Sequence, residues 1–386
     1  MLKDRFENEI SIEEMSDLHP DEYVLVDIRD EISHDYGCIP SSVSMENIID
    51  LSKEGKLDKE RSYILYCMHG SQSSNAANEL RHMGYDALSL KDGYASWLKE
   101  SIGRTDPKIR IKAEESILNE YKDKLYIPFS KAIDEFELIE DGDKIAVCIS
   151  GGKDSMLMAK LFQVYKNKSD KNFDLMFLVM DPGYSELNRM LIEDNARKLG
   201  VNITIFESSI FNIVDNVDKS PCYLCARMRR GNLYATAKEH GFNKIALGHH
   251  FDDAIETILM GISYAGNYQT MMPKLKSDNF EGMELIRPMY LIREKDIIEW
   301  RDYNGLHFIQ CACHFTDTCS SCRDDGTSIS KRMETKKLIE RLKKDIPDIE
   351  KNIYESSKNI ILDSIIEYKK GKDKHTFLEN YKNKTA

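Results

Sequence analysis

Nowhere in the 386 residues does an apolar run approach the ~20 residues that a membrane-spanning helix needs. The opening stretch, MLKDRFENEISIEE, carries acids where a secretion signal would carry an apolar segment. The expected compartment is therefore the cytoplasm, with no membrane partner. Positive charge is short overall. The formal net charge of −12 argues against indiscriminate nucleic-acid binding, but a local basic surface still acts within a Debye length of ~8–10 Å. Internal repeats and low-complexity tracts are missing too. Nine cysteines in a reducing compartment are expected to be ligands, nucleophiles or small buried hydrophobes rather than disulfides.

What is present reads as a globular chain long enough for two or three domains. Residues 1–103 hold two short apolar runs, YVLVDI (23–28) and SYILYC (62–67), that predict buried parallel strands, and a helix over 73–84. Residues 104–125, TDPKIRIKAEESILNEYKDK and its neighbours, predict a charged connecting helix. Across 126–350, strand patterns at 144–149, 174–180, 202–207 and 244–248 alternate with helical patterns. That order predicts an α/β fold with a doubly wound parallel sheet, whose ligands bind at the carboxyl ends of the strands. The last stretch, 351–386, is lysine-rich and is expected to be a helical tail.

CISGGKDSM follows one predicted strand and precedes a helix. Its glycines let backbone N–H groups approach an anion at a helix N-terminus, and Lys153 adds a cation. The spacing is not that of a Walker A loop. Residues Ser150, Gly151, Gly152, Lys153, Asp154 and Ser155 resemble the pyrophosphate loop of the ATP pyrophosphatases (PP-loop enzymes), which split ATP into AMP and pyrophosphate while adenylating a substrate oxygen. LGHHFDDAIET (247–257) adds to that resemblance. Asp252 and Asp253 suit Mg²⁺, a hard cation that takes oxygen ligands. The backbone at Met180, ending the next strand, is the expected meeting point for adenine.

PCYLCARMRRG places Cys222 and Cys225 three residues apart, followed by Arg227, Arg229 and Arg230. A second group lies in QCACHFTDTCSSCRDD: Cys311, Cys313, Cys319 and Cys322. Two separated cysteine groups point to a metal, and the spacing suits zinc and iron–sulfur alike. PCYLCARMRRGNLY, ALGHHFDD, LIRPMYLIREKDI and the later cysteines together resemble the tRNA 2-thiocytidine synthetase family. The resemblance implies a 4Fe–4S cluster on Cys222, Cys225 and Cys311. It also implies tRNA as partner, with Arg227, Arg229 and Arg230 gripping its backbone and Arg229 screening ATP phosphates. The chain departs from the family by carrying C-x-C and then C-x-x-C downstream. Cys319 or Cys322 is therefore an alternative third ligand, and an additional zinc site on Cys313, Cys319 and Cys322 with His314 is another.

YCMHGSQSSNAANEL sets Cys67 at the end of a strand and before a helix, where backbone N–H groups favour a thiolate or persulfide. With LVDIRD and KDGYASWLKE, residues 10–100 resemble rhodanese domains, which makes Cys67 the sulfur-accepting residue. Gln72 stands where arginine is frequent and Cys38 where histidine is. The less positive loop favours a cysteine desulfurase over thiosulfate as donor. Together the resemblances imply a rhodanese fused to an ATP-dependent tRNA thiolase that replaces the C2 oxygen of a pyrimidine, cytidine 32 in the family, with sulfur. A PP-loop enzyme thiolating another base or a small molecule, and a lysidine synthetase-like ligase, are the alternatives. Whether the chain forms a homodimer is left open.

Overall fold

The computed structural model describes residues 2–103, 108–208, 210, 221–308 and 331–383. The chain forms two compact units, one of Met1–Phe251 with Pro273–Ser328 and the other of Asp252–Met272 with Ile329–Ala386.

The first unit contains two sheets. The N-terminal one comprises β1 (Glu9–Ile10), β2 (Tyr23–Asp27), β3 (Val43–Ser44), β4 (Ser62–Tyr66) and β5 (Asp86–Leu90), in the order β1-β5-β4-β2-β3, with every pair parallel. β4 and β5 are buried at every position, and for β4 this explains the apolar run read from the sequence. The intervening helices are α1 (Ile12–Ser16), α2 (Glu31–Tyr36), α3 (Ile48–Lys53), α4 (Ser71–His82) and α5 (Gly93–Ser101). Both predicted strands and the predicted helix are present, shifted by no more than two residues.

The connecting segment is helical, as α6 (Ile109–Leu118), and it is no free spacer. Its Ala113, Ser116 and Ile117 are buried. The Ser116 hydroxyl accepts from Trp300 Nε1 at 3.0 Å and from Asn304 Nδ2 at 3.2 Å, so this polar group is satisfied inside the core. After a π-helical turn at Lys122–Tyr126 comes α7 (Ile127–Glu135).

The second sheet contains β6 (Lys144–Ile149), β7 (Asp174–Asp181), β8 (Ile203–Glu207), β9 (Lys244–Ala246), β10 (Lys274–Lys276) and β11 (Glu284–Ile286). Their order is β10-β11-β9-β6-β7-β8, and only the β10–β11 pair is antiparallel. The helices are α8 (Lys153–Lys168), α9 (Glu186–Leu199), α10 (Pro221–Glu239), α11 (Phe251–Met260) and α12 (Glu294–Tyr303). The chain winds from β6 outward to β8 and then returns to the other side of β6 as β9. The β6/β9 boundary is therefore the topological switch point, where such sheets take ligands.

The two sheets share one continuous apolar cluster. Tyr94 and Leu98 from the first half belong to it, as do Ile117, Phe129, Leu157, Ile192 and Trp300. Trp97 meets His307 edge to face with ring centres 4.6 Å apart. The Gly103 N–H donates to Asp194 Oδ1 at 3.2 Å, and Lys198 Nζ donates to the Ser101 carbonyl at 3.3 Å. Thus α5 docks on α9.

The second unit holds α11 from Asp252 on, α13 (Lys331–Asp345), α14 (Ile349–Ser356), a hairpin of β12 (Glu367–Lys370) and β13 (Asp373–Thr376), and α15 (Phe377–Asn383). The tail expected to be helical across 351–386 is thus partly a β-hairpin, turned at Gly371 with φ 65°. Among the described residues no helix is long and apolar enough to cross a membrane.

Candidate functional site: a phosphate loop and a cysteine loop

At the switch point, β6 ends in the turn Ser150–Gly151–Gly152 before α8 begins at Lys153. Gly151 adopts φ 88°, a backbone region that suits glycine. The turn is pinned from inside. Ser155 Oγ accepts from the Ser150 N–H at 3.1 Å and donates to the Gly152 carbonyl at 3.0 Å. Gly152 caps the helix with no side-chain hydrogen bond, so the first-turn N–H groups form an anion-binding end without an internal acceptor from the cap. The exit from β9 lies against this turn. A Cβ on Gly248 would stand 3.2 Å from the Ser155 nitrogen and 3.3 Å from the Asp154 carbonyl carbon. Donor type and backbone geometry both fit a polyphosphate.

Lys153, the loop's cation, is buried with 1% of its side chain exposed. Its Nζ lies 3.1 Å from Asp154 Oδ1 and 3.0 Å from Glu294 Oε1 at the start of α12. His250 Nε2 stands 3.9 Å from Asp154 Oδ1. Glu294 falls inside the quoted LIREKDI motif, yet nothing local in that motif marks it as a partner of the loop.

The next strand overruns β6. Pairing of β6 with β7 ends at Ile149↔Val179, so Met180 and Asp181 extend past the β6 edge. The Asp181 carboxylate accepts from the N–H groups of Gly183 at 2.9 Å and Tyr184 at 2.7 Å, and from Arg189 at 3.0 Å. Arg229 reaches this strand end, with Nη2 donating to the Tyr184 hydroxyl at 3.3 Å. Arg227 and Arg230 are exposed, so the three arginines do not occupy equivalent places.

Cys222 and Cys225 lie one turn apart at the start of α10. Their side chains, and all of Cys311, Cys313, His314, Cys319 and Cys322, lie outside the described residues. Among the described residues no three His, Cys, Asp or Glu side chains converge as metal ligands. Cys148 is a core residue of β6, and burial pushes its thiol up to about 12, so it is inert at neutral pH.

Asp252 and Asp253 open α11, within the second unit. They differ in setting. Asp252 is half-buried, whereas Asp253 is buried and its Oδ1 accepts from Arg332 Nη1 at 2.8 Å. The same guanidinium reaches Glu256 Oε2 with its Nε at 3.3 Å. Carboxylate oxygens suit Mg²⁺ by donor type, but Arg332 already neutralises part of this charge. Arg332 had no sequence signal, being one basic residue in a lysine-rich stretch.

In the N-terminal half, Cys67 follows β4 and is 2% exposed. The Gly70 N–H points at its Sγ from 3.2 Å, and the Ser73 hydroxyl from 3.5 Å. Ser73 is in turn fixed by Ser89 Oγ at 2.8 Å. The loop is clamped from below, since the Cys67 and Met68 carbonyls accept from Tyr94 N–H at 2.8 Å and Ala95 N–H at 3.0 Å. Nearby, Arg29 forms a fork to buried Asp27, with Nη2–Oδ2 at 2.6 Å and Nε–Oδ1 at 2.9 Å, and its guanidinium lies 4.2 Å from the Tyr94 ring centre. Cys38 is half-buried, and burial raises its thiol pKa.

The PP-loop domain family matches residues 123–314, and the rhodanese-like domain family matches residues 11–100. A tRNA-cytidine(32) 2-sulfurtransferase of Aliivibrio fischeri (strain MJ11) is 35% identical over 253 residues, which is 65% of this chain and 79% of that protein. One of Citrifermentans bemidjiense is 34% identical over 234 residues, 60% of this chain and 88% of the relative. Among solved structures, the U34-tRNA thiolase NcsA from Methanococcus maripaludis with its 4Fe–4S cluster matches at 20% identity, covering 66% of this chain and 82% of that one with a TM-score of 0.48. With PP-loop and rhodanese-like domains in place and 79% of a relative's length covered at 35% identity, the chain belongs to the tRNA-cytidine(32) 2-sulfurtransferase family.

Proposed function

We propose that the protein is an ATP-dependent tRNA sulfurtransferase acting on the C2 oxygen of a pyrimidine, cytidine 32 as in the names of its relatives. The observation that carries this reading is the glycine turn Ser150–Ser155 with its buried Lys153 at the switch point of the second sheet. There the first-turn N–H groups and Lys153 hold the ATP phosphates. Asp252 and Asp253 are the carboxylates that suit Mg²⁺ by donor type. The overrunning end of β7 at Met180 meets the adenine. The pyrimidine oxygen attacks the α-phosphorus, pyrophosphate departs, and sulfur then adds at C2 as AMP leaves with the original oxygen. Arg229 steadies the phosphates beside Tyr184, while the exposed Arg227 and Arg230 face the tRNA backbone.

Cys67 accepts a sulfane sulfur from a cysteine desulfurase as a persulfide, with the Gly70 N–H and the Ser73 hydroxyl directed at its sulfur. An external thiol reductant supplies the two electrons that release that sulfur at the sulfide level and return Cys67 to the thiol. The thiol donors and their two separated groups fit a 4Fe–4S cluster on Cys222, Cys225 and Cys311, with zinc on Cys313, Cys319 and Cys322 as a further site. When bound, the cluster supplies a thiophilic centre for incoming sulfur.

The test compares thionucleosides in tRNA from cells with and without the gene. Loss of 2-thiocytidine supports the reading, and an unchanged thionucleoside set overturns it. Protein purified without oxygen should hold about four irons per chain, the content of one such centre, and lose them in Cys222→Ala. Stoichiometric zinc in place of iron would remove the cluster from the reading.

A further inference from the structure

We propose that Glu294 is the positioning residue for Lys153 in the nucleotide step, an inference that rests on the ATP reading above. Lys153 is the first residue of α8, where the helix carries partial positive charge, and its side chain is 1% exposed. A buried ammonium in that place is doubly disfavoured. Taking it out of water costs several kcal/mol unless it is paired, and its own helix repels it. Two carboxylates offset this cost. Asp154 is adjacent in the chain, 25% exposed, and also within 3.9 Å of His250. Glu294 comes from 141 residues away, is 14% exposed, and approaches Lys153 Nζ to 3.0 Å.

Glu294 is itself suited to the task. It is the first residue of α12, where the helix N-terminus favours a carboxylate. Two helix starts therefore face one another through an ion pair: α12 stabilises the anion, and the anion holds the cation at the start of α8. The far end of α12 is anchored in the core by Trp300, whose Nε1 donates to Ser116. The ammonium's location is thus set by a packed helix as well as by the glycine turn. Preorganised charge of this kind stabilises a transition state without rearrangement during the reaction.

The roles separate kinetically. Glu294→Gln keeps an acceptor but removes an anion from beside the phosphate loop. ATP should then bind more tightly than in wild type, while kcat for AMP release with unmodified tRNA falls about 10²-fold, as on removing one preorganised electrostatic contact. Glu294→Asp, which keeps the charge on a shorter stem, should recover part of that loss. In a Lys153→Ala background Glu294→Gln should have no further effect, because Glu294 acts through the lysine. Equal losses in both backgrounds would overturn the proposal, as would wild-type kcat in Glu294→Gln. So would a rise in KM in step with a lowered melting temperature, the mark of a structural pair. ATP affinity measured directly separates the two readings. If wild type binds ATP but releases no AMP, the sulfurtransferase reading fails, and Glu294 is then judged on binding alone. A shift in affinity in the wild-type background, absent in Lys153→Ala, supports the proposal, and no shift overturns it.

Discussion

The cysteine loop and the phosphate loop are built from the same parts. Each follows a buried parallel strand, each turns through a glycine at φ 88°, Gly70 in one and Gly151 in the other, and each leads into a helix. They differ in where the charge sits. In the first, the residue at the strand end carries the reactive atom, and the Gly70 N–H and Ser73 hydroxyl aim at its sulfur. In the second, the strand-end Ser150 is tied back to Ser155, and the cation arrives one turn later as Lys153, held by two carboxylates. In the first, backbone and hydroxyl donors converge on a side chain of the protein itself. In the second, the glycine turn leaves its first-turn N–H groups without a side-chain cap. One strand–turn–helix junction thus serves two arrangements that differ in where a single side chain sits.

The sharpest way to break the comparison is to disable one loop and assay both. Lys153→Ala should lower AMP release about 10²–10³-fold, the usual cost of losing a preorganised charge, while Cys67 still accepts one sulfur atom from a desulfurase, read by intact-protein mass. If loading of Cys67 fails as well, the loops are not independent. Next in size, Cys67→Ser should cut desulfurase-driven thiolation on the order of 10–10²-fold, since the variant lacks the thiol that would receive the sulfur and free sulfur species must take its place. Free sulfide should restore the product, and AMP release should not change. Equal desulfurase-driven activity in wild type and variant would take the N-terminal half off the sulfur path.

A smaller effect tests the clamp beneath the cysteine. Gly93 has φ 58°, and a Cβ there would run into the Cys67 carbonyl and the Gly70 nitrogen. Gly93→Ala should destabilise the protein by roughly 1–3 kcal/mol and slow persulfide loading, with ATP binding unaltered. Unchanged loading kinetics would show that the clamp does not shape the cradle.

The smallest expected effect concerns the joint between the halves. His307, against Trp97, is held down at about 4, first by burial and then by the charges of Lys198 and Arg301. An unfolded histidine titrates near 6.5, so between those values the unfolded chain binds more protons. Stability is therefore full above about 6.5 and falls as pH drops toward 4, by about 1–2 kcal/mol at pH 5 after allowing for partial exposure. Denaturant titrations at pH 7 and 5 should show a smaller difference in His307→Gln. An identical difference would place the acid sensitivity elsewhere.

Both loops were legible because their signals are local. Glycines, a serine and a reactive residue follow an apolar run within a few positions, and strand-to-helix geometry does the rest. Glu294 was not legible, because its meeting with Lys153 spans 141 residues and depends on where α12 packs. Arg332 escaped for the same reason, lying 79 residues from Asp253. The hairpin at 367–376 was hidden by its lysines. EYKKGKDKHT has little apolar alternation, and lysine is a good helix former, so charge masked a turn that Gly371 makes. The cysteine groups suggest a metal by spacing, but spacing does not choose between zinc and iron, and their side chains lie outside the described residues.

The apolar cluster that runs unbroken from Tyr94 and Leu98 through Ile117 to Trp300 has a consequence for how such a fusion is inherited. A carrier on a loose tether is a cassette, replaceable by any other carrier of like chemistry. Here a replacement would have to reproduce Trp97 against His307 and the end of α5 against α9, or leave oily surface bare on both sides of the cut. Damage in either half is then shared as lost stability by the other. Sulfur supply and nucleotide chemistry would drift, fail and be repaired as a single selectable trait.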